Sequence, residues 1–223
     1  MRIGVLIERY PTLYHMAEVP NWPGIQARGL LSTSALLDLY GYTGGRRELI
    51  ESRWRPAMVK IEKTGLPPAW IRDQQPMPPA ELRPLLEQGM SVEDWYRLIN
   101  AKVFFWAEWS RLEMLLGAKF YRGFEHVVLK VNTRLLLDQC SARIALTSMN
   151  SGSTFRRANG EDPPPRGADT FQAIDRFPES GQVVEVAVDR GVENVLSVAA
   201  SAEVRVCAGW KQPSSLVRPL WSA

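Results

Sequence analysis

Two cysteines and two histidines are all that this 223-residue chain holds of thiol and imidazole chemistry. Cys140 and Cys207 have neither the spacing of a redox or zinc motif nor the number that a disulfide framework needs. With only His15 and His126 to join them, a closed zinc site lacks its four clustered ligands, so no metal is expected. Long apolar runs are missing too: none approaches the ~20 residues that span a bilayer. At the start of the chain Arg2, Glu8 and Arg9 break any signal-peptide core. A cytoplasmic protein without a membrane partner is the expectation. No internal repeat is visible.

What is present is an ordinary core-forming composition. Hydrophobic residues make up 45% of the chain, enough for a folded body, and the length favours one domain over residues 1–223. The net charge of +3 and a pI near 9.0 permit contact with nucleic acid without requiring it.

The stretch Tyr10 to Leu37 organises the reading. It predicts a short strand ending in Tyr14-His15, a helix entered at Asn21 with Pro23 in its first turn, a break at Gly29, and a second helix entered through Ser32-Thr33-Ser34. A histidine at a strand end beside helix entries can share a phosphate-bearing ligand with backbone N–H groups, a dinucleotide grip. An ordinary core histidine fits the same spacing.

Residues 45–63 are the densest basic stretch, helical at first and extended after Pro56. Arg46, Arg47, Arg53, Arg55, Lys60 and Lys63 suit a solvated surface, and Trp54 between two arginines also suits a phosphate- or base-contacting edge. Residues 64–79 carry five prolines, which exclude a regular element, yet their Trp-Ile-Arg-Asp centre predicts an ordered, packed loop. Short helices are expected over 81–89 and 91–101, the second capped by Ser91. VFFW (103–106) reads as a buried strand, 109–116 as a helix, 126–132 as a strand, 133–138 as a helix and 141–147 as a strand. Residues 148–182 form a long polar loop of the kind that is functional or disordered. Strands resume over 181–188 and within 195–206, and the tail is expected to pack irregularly.

One residue breaks its local pattern. Glu185 lies in VVEVAV, where alternation puts Val184, Val186 and Val188 on one face and Val183, Glu185 and Ala187 on the other. An exposed strand position and a cleft carboxylate both satisfy that pattern.

The order of these features resembles the ADP-ribosyltransferase fold, and within it most nearly the DarT group of bacterial DNA-modifying toxins. The likeness is carried by LYHM followed by GLLST, by VFFW followed by WSRLEMLL, by HVVLKVN, and by VVEVAVDRGVENVLSV. It covers most of the chain as pattern and is weak in identity. It implies an α+β fold, a split β-sandwich with flanking helices, and NAD as co-substrate without metal. His15 would bond the adenosine ribose, with Tyr14, Met16, Ser32 and Thr33 around the nucleotide. Phe104, Phe105 or Trp106 would supply a ring near the nicotinamide, and Glu185 would be the catalytic carboxylate. The second strand has Phe or Trp where many such transferases have Tyr, and Arg53, Arg55 and Arg72 compete for the role of the accessory arginine.

The chemistry implied is cleavage of the nicotinamide–ribose bond. Positive charge builds on the sugar, so a carboxylate near the ribose hydroxyls favours the transition state, while an arginine can pair with the pyrophosphate. The 148–182 loop would meet the acceptor through Ser151, Thr154, Arg156, Arg166 and Phe171, with single-stranded DNA or RNA favoured modestly over protein. Toxins of this group also imply an antitoxin partner such as a macrodomain hydrolase. NAD hydrolysis or modification of a protein are rival activities, and a non-catalytic nucleic-acid-binding module using residues 46–63 is the rival of a different class.

Overall fold

The computed structural model describes every residue except 156–159 and 161. In chain order the helices and strands are α1 (Ile3–Arg9), β1 (Thr12–Glu18), α2 (Trp22–Arg28), β2 (Leu30–Leu31), α3 (Thr33–Tyr40), α4 (Gly44–Glu51), β3 (Val59–Ile61) and β4 (Ala69–Ile71). They continue with α5 (Pro79–Leu82), α6 (Val92–Asn100), β5 (Lys102–Trp106), α7 (Trp109–Leu116), β6 (Glu125–Asn132), α8 (Thr133–Cys140), β7 (Ile144–Thr147) and β8 (Gln172–Ala173). Last come β9 (Glu185–Asp189), β10 (Gly191–Val192), α9 (Val195–Val198), β11 (Ala199–Val206) and β12 (Ser215–Ser222).

The result mixes helices with one large antiparallel sheet, ordered β12-β11-β6-β1-β5-β9-β7-β8. Every ladder in it is antiparallel. β1 and β6 run together over seven residue pairs, from Thr12↔Asn132 to Glu18↔His126. By contrast β1 and β5 share only Tyr14↔Trp106 among the described residues. Beyond that pair the two strands separate, and the sheet opens in its middle.

The main core fills one face of this sheet with Leu13, Ala17, Phe105, Val127, Leu129, Val131, Val186 and Val188. Alternation within the strands accounts for the selection, because the residues named on any one strand are an even number of positions apart. A smaller cluster joins Met16 and Val128 to Leu112 and Leu116 of α7 on the other face. Two satellite cores lie apart from these: Leu37, Tyr40, Ile50, Ile61 and Ile71 under the β3–β4 hairpin, and Met77, Leu82, Trp95 and Tyr96 under α6.

Local chemistry sets the helix starts. Ser32 Oγ accepts from the Ala35 N–H at 3.2 Å and opens α3. Ser91 and Asp94 exchange bonds as a capping box at α6, and Asn132 Oδ1 accepts from the Leu135 N–H at α8. Gly29 ends α2 at φ +80°, where an added Cβ would lie 2.2 Å from the carbonyl oxygens of Val192 and Glu193. That close approach lets β2 pair with β10.

Four expectations need correction. The β1 strand does not end at His15 but runs on to Glu18, because its ladder with β6 supports it to that point. The proline-rich segment holds a regular element: Ala69–Ile71 pairs with Val59–Ile61 as a hairpin, the prolines falling outside both strands. Residues 83–85 form a short 3-10 turn rather than a continuation of α5, as expected where Pro84 interrupts the ladder. The tail is β12, an edge strand on β11, with Pro219 tolerated at its outer position.

Candidate functional site

The opening between β1 and β5 leaves main-chain groups that a continuous ladder would have used. Two side chains take them. The imidazole Nδ1 of His15 lies 2.7 Å from the Phe104 carbonyl, and Arg72 Nη2 donates to the Met16 carbonyl at 2.9 Å. Burial, together with the nearby Arg72 charge, lowers the His15 pKa to about 4 against the pull of the Phe104 carbonyl. The ring is therefore neutral at pH 7, with Nδ1–H as the donor and Nε2 left as an acceptor.

Arg72 is itself positioned. Its Nε donates to Glu18 Oε1 at 3.1 Å, and its guanidinium lies 5.5 Å from the Tyr121 ring. The hairpin that delivers it is held by Asn21, whose Nδ2 donates to the Trp70 carbonyl at 2.9 Å while its Oδ1 accepts from the Trp70 N–H at 2.8 Å. Asn21 thus does not cap α2 with its side chain, as the sequence suggested; its amide serves as a strand-like partner for β4. Glu18 carries a second contact: His126 Nδ1 lies 3.5 Å from Oε2. Burial alone would raise the Glu18 pKa, but His126 and Arg72 hold it below its ordinary value.

Glu185 begins β9, opposite Trp106 on one side and Thr147 on the other. It is 4% exposed. Ser151 donates to its Oε2 twice, from Oγ at 2.7 Å and from the backbone N–H at 3.2 Å. Burial pushes the Glu185 pKa up to about 7, despite the Ser151 bonds and the charges of Arg111 and Arg166 that oppose it. Among the described residues Oε1 has no hydrogen-bond partner.

One cavity of about 1110 Å³ connects these groups. Its lining includes His15, Glu18, Arg72, Phe104, Trp106, Arg111, Ser151 and Glu185. The volume lies just above the ~300–1,000 Å³ typical of small-molecule sites. His15 and Glu185 reach it from different faces of the sheet: Glu185 shares its face with Trp106 and Tyr14, while the register partner of His15 is the core residue Leu129. Only the opening of the sheet lets both border one space.

The remaining predicted site residues divide. Met16, Ser32 and Thr33 also line the cavity, although the Met16 carbonyl is already taken by Arg72 and the Ser32 hydroxyl by its helix cap. Arg55 lines it as well but is 5% exposed. Its guanidinium donates to the Ile50 and Arg72 carbonyls and to Asn100 Oδ1, so it braces the loops.

Others lie outside the lining. Arg53 pairs with Glu93 on the surface, and Phe105 is buried in the main core. Tyr14 packs edge-on against Trp109. In the acceptor-side loop Thr154 gives its N–H and hydroxyl to the Pro76 carbonyl. Arg166 is buried and bonded to the Pro164 and Ser153 carbonyls, and Phe171 packs against Trp95 and Phe104. These three residues face inward because the loop folds back on α6 instead of projecting. Arg156 lies outside the described residues.

The basic stretch is largely neutralised by neighbours: Arg47 pairs with Asp38 and Glu51, Arg53 with Glu93, and Lys60 with Glu62. Sequence reasoning missed Glu18, Asn21, Trp70 and Arg111. The Trp-Ile-Arg-Asp centre was the signal for the hairpin; Arg111 gave none, since nothing local aims α7 at the cavity. Among the described residues no cluster of three or more His, Cys, Asp or Glu is arranged for a metal, and no helix is long and apolar enough to cross a membrane.

Residues 11–199 match the model of DUF7002, a family of unknown function. The chain belongs to this family. No curated protein matches it.

Proposed function

We propose that this DUF7002 member is a mono-ADP-ribosyltransferase of split β-sandwich fold that uses NAD and transfers ADP-ribose to a nucleic-acid base, as a DarT-like toxin or defence enzyme would. The observation that carries this reading is the shared cavity, bordered by a neutral His15, a cationic Arg72 and a carboxylate, Glu185, whose free oxygen has no partner among the described residues.

In this scheme His15 Nε2 accepts from a ribose hydroxyl and Arg72 pairs with the pyrophosphate. The bond between nicotinamide and C1′ of the ribose breaks, and its electron pair leaves with the nicotinamide. The ionised Glu185, held through Oε2 by Ser151, offers Oε1 to the ribose hydroxyls and stabilises the positive charge that develops. The acceptor attacks C1′ and gives up its proton to solvent. Trp106, opposite Glu185, shields the reacting bond from water. Asn150, Ser153 and the exposed Phe155 lie on the cavity wall beside Ser151 and form the acceptor side.

The ion pairs across Arg47, Arg53 and Lys60 weigh against a purely nucleic-acid-binding module built on residues 46–63. The test is nicotinamide release from NAD by purified protein, alone and with single-stranded DNA, RNA or cell lysate. Release and labelling are expected, and Glu185→Gln abolishes both with the fold intact. No release and no labelling under any condition would overturn the proposal; release without labelling would point instead to an NAD glycohydrolase.

A further inference from the structure

One wall of the cavity is not used by the chemistry above. The lining there includes Gly24 and Arg28 of α2, Leu36 and Leu39 of α3, and Trp70 of β4. Trp70 is the large side chain of this wall. It is half-buried, yet it belongs to none of the buried clusters and makes no ring–ring contact among the described residues.

Its backbone, in contrast, is fixed on every side. The Asn21 amide takes both its N–H and its carbonyl, while register opposite Lys60 sets it in the hairpin. The Lys60 ammonium lies 5.8 Å from the centre of the ring. An aromatic side chain on a fixed backbone, with only two torsions to order and no place in the core, meets a ligand at low entropic cost. Arg28, on the same cavity lining, is half-buried and has no ion-pair partner among the described residues.

A planar base is the chemistry that such a ring takes best, because stacking is tolerant of the base's edge pattern and needs only a flat face. A phosphate beside it suits the unpaired guanidinium. Resting on the proposed use of NAD, we infer that Trp70 is the stacking platform for the adenine of the dinucleotide, with Arg28 beside the phosphate of that half. The hydrogen bonds of Asn21 make it the positioning residue for this platform.

Calorimetric titration with NAD and with adenosine 5′-monophosphate tests the assignment. Wild-type protein is expected to bind both, the monophosphate competing with NAD. Trp70→Leu, which keeps apolar bulk without a π face, should weaken both by roughly tenfold, and Trp70→Phe should stay within about threefold of wild type. In turnover, Trp70→Leu should raise KM by a similar factor and leave kcat within about twofold. Trp70→Ala is expected to resemble Leu; if it fails to fold, the Leu and Phe pair still decides.

Equal binding by Trp70→Leu and Trp70→Phe, or no competition by the monophosphate, would overturn the platform while NAD turnover by wild type left the transferase reading standing. The converse result separates them as well. Trp70-dependent binding of the monophosphate without nicotinamide release would uphold the base site and sink the transferase. Binding of neither nucleotide would overturn both.

Discussion

Ser151 gives its backbone N–H and its hydroxyl to the same carboxylate oxygen of Glu185, at 3.2 and 2.7 Å. Two donors on one oxygen orient the group and leave the other oxygen to the cavity. They also favour the ionised form, which burial disfavours.

Activity that needs ionised Glu185 should therefore rise with pH along an acid limb centred near 7. Removing the Ser151 hydroxyl takes away a bond to the charged form, so the Glu185 pKa should move up further. For Ser151→Ala the expected outcome is an acid limb displaced to higher pH and roughly ten- to a hundredfold less nicotinamide release at pH 7, partly recovered at pH 9. A uniform loss at every pH, with the limb unmoved, would show that Ser151 does not act through Glu185.

The half-buried imidazole makes a stability prediction of its own. His15 has a folded-state pKa of about 4 against an ordinary 6.5. A group whose native pKa is depressed in this direction binds its proton more readily when unfolded, so native stability falls as pH drops from about 6.5 toward 4. Denaturant midpoints measured across that window should show less acid sensitivity in His15→Gln than in wild type. His15→Ala should weaken NAD binding by roughly tenfold or more; an unchanged dissociation constant would remove His15 from the nucleotide site.

Asn21 lines the cavity itself and also holds, through the Trp70 backbone, the strand that carries Arg72 two residues further on. Asn21→Ala deletes two part-buried hydrogen bonds and should cost about 1–3 kcal/mol of stability, visible as a lower urea midpoint. Affinity for NAD should fall along with it, because Arg72 and the ring of Trp70 lose their anchor. Asn21→Asp keeps the acceptor for the Trp70 N–H, so its stability should lie between those of wild type and the alanine variant. Identical melting for all three would contradict the clamp.

At Gly29 both conformation and space are restrictive. A side chain there meets φ +80° and two carbonyl oxygens 2.2 Å from its Cβ. Gly29→Ala should cost more than about 1 kcal/mol from the backbone strain alone, with the clash added, and should loosen the β2–β10 pairing. Hydrogen exchange at Leu30, Leu31 and Val192 reads this directly. Unchanged protection would mean that the backbone shifts to admit the methyl group.

Much of the scaffold was legible in the chain. Ser32 and Ser91 announced helix starts because a cap is a local bond between residues three apart. VFFW and HVVLKVN announced strands because alternation is a property of neighbours. Glu185 amid valines marked itself as exceptional, and its side of β9 followed from period two. Arg72 remained one of three candidates, and only packing shows Arg53 at the surface and Arg55 consumed by carbonyls.

The sequence by itself determined most of the helices and the apolar faces of β1, β5, β6 and β9, since those depend on contacts a few residues long, whereas the β3–β4 hairpin and β12 emerged only from pairing in the folded chain. The tertiary structure alone decided that β1 and β5 part after Tyr14 and Trp106. That separation turns His15 from a core position into a cavity wall and leaves the Met16 carbonyl to Arg72. No local pattern encodes it, because the strands part only where side chains from distant segments replace the missing ladder bonds.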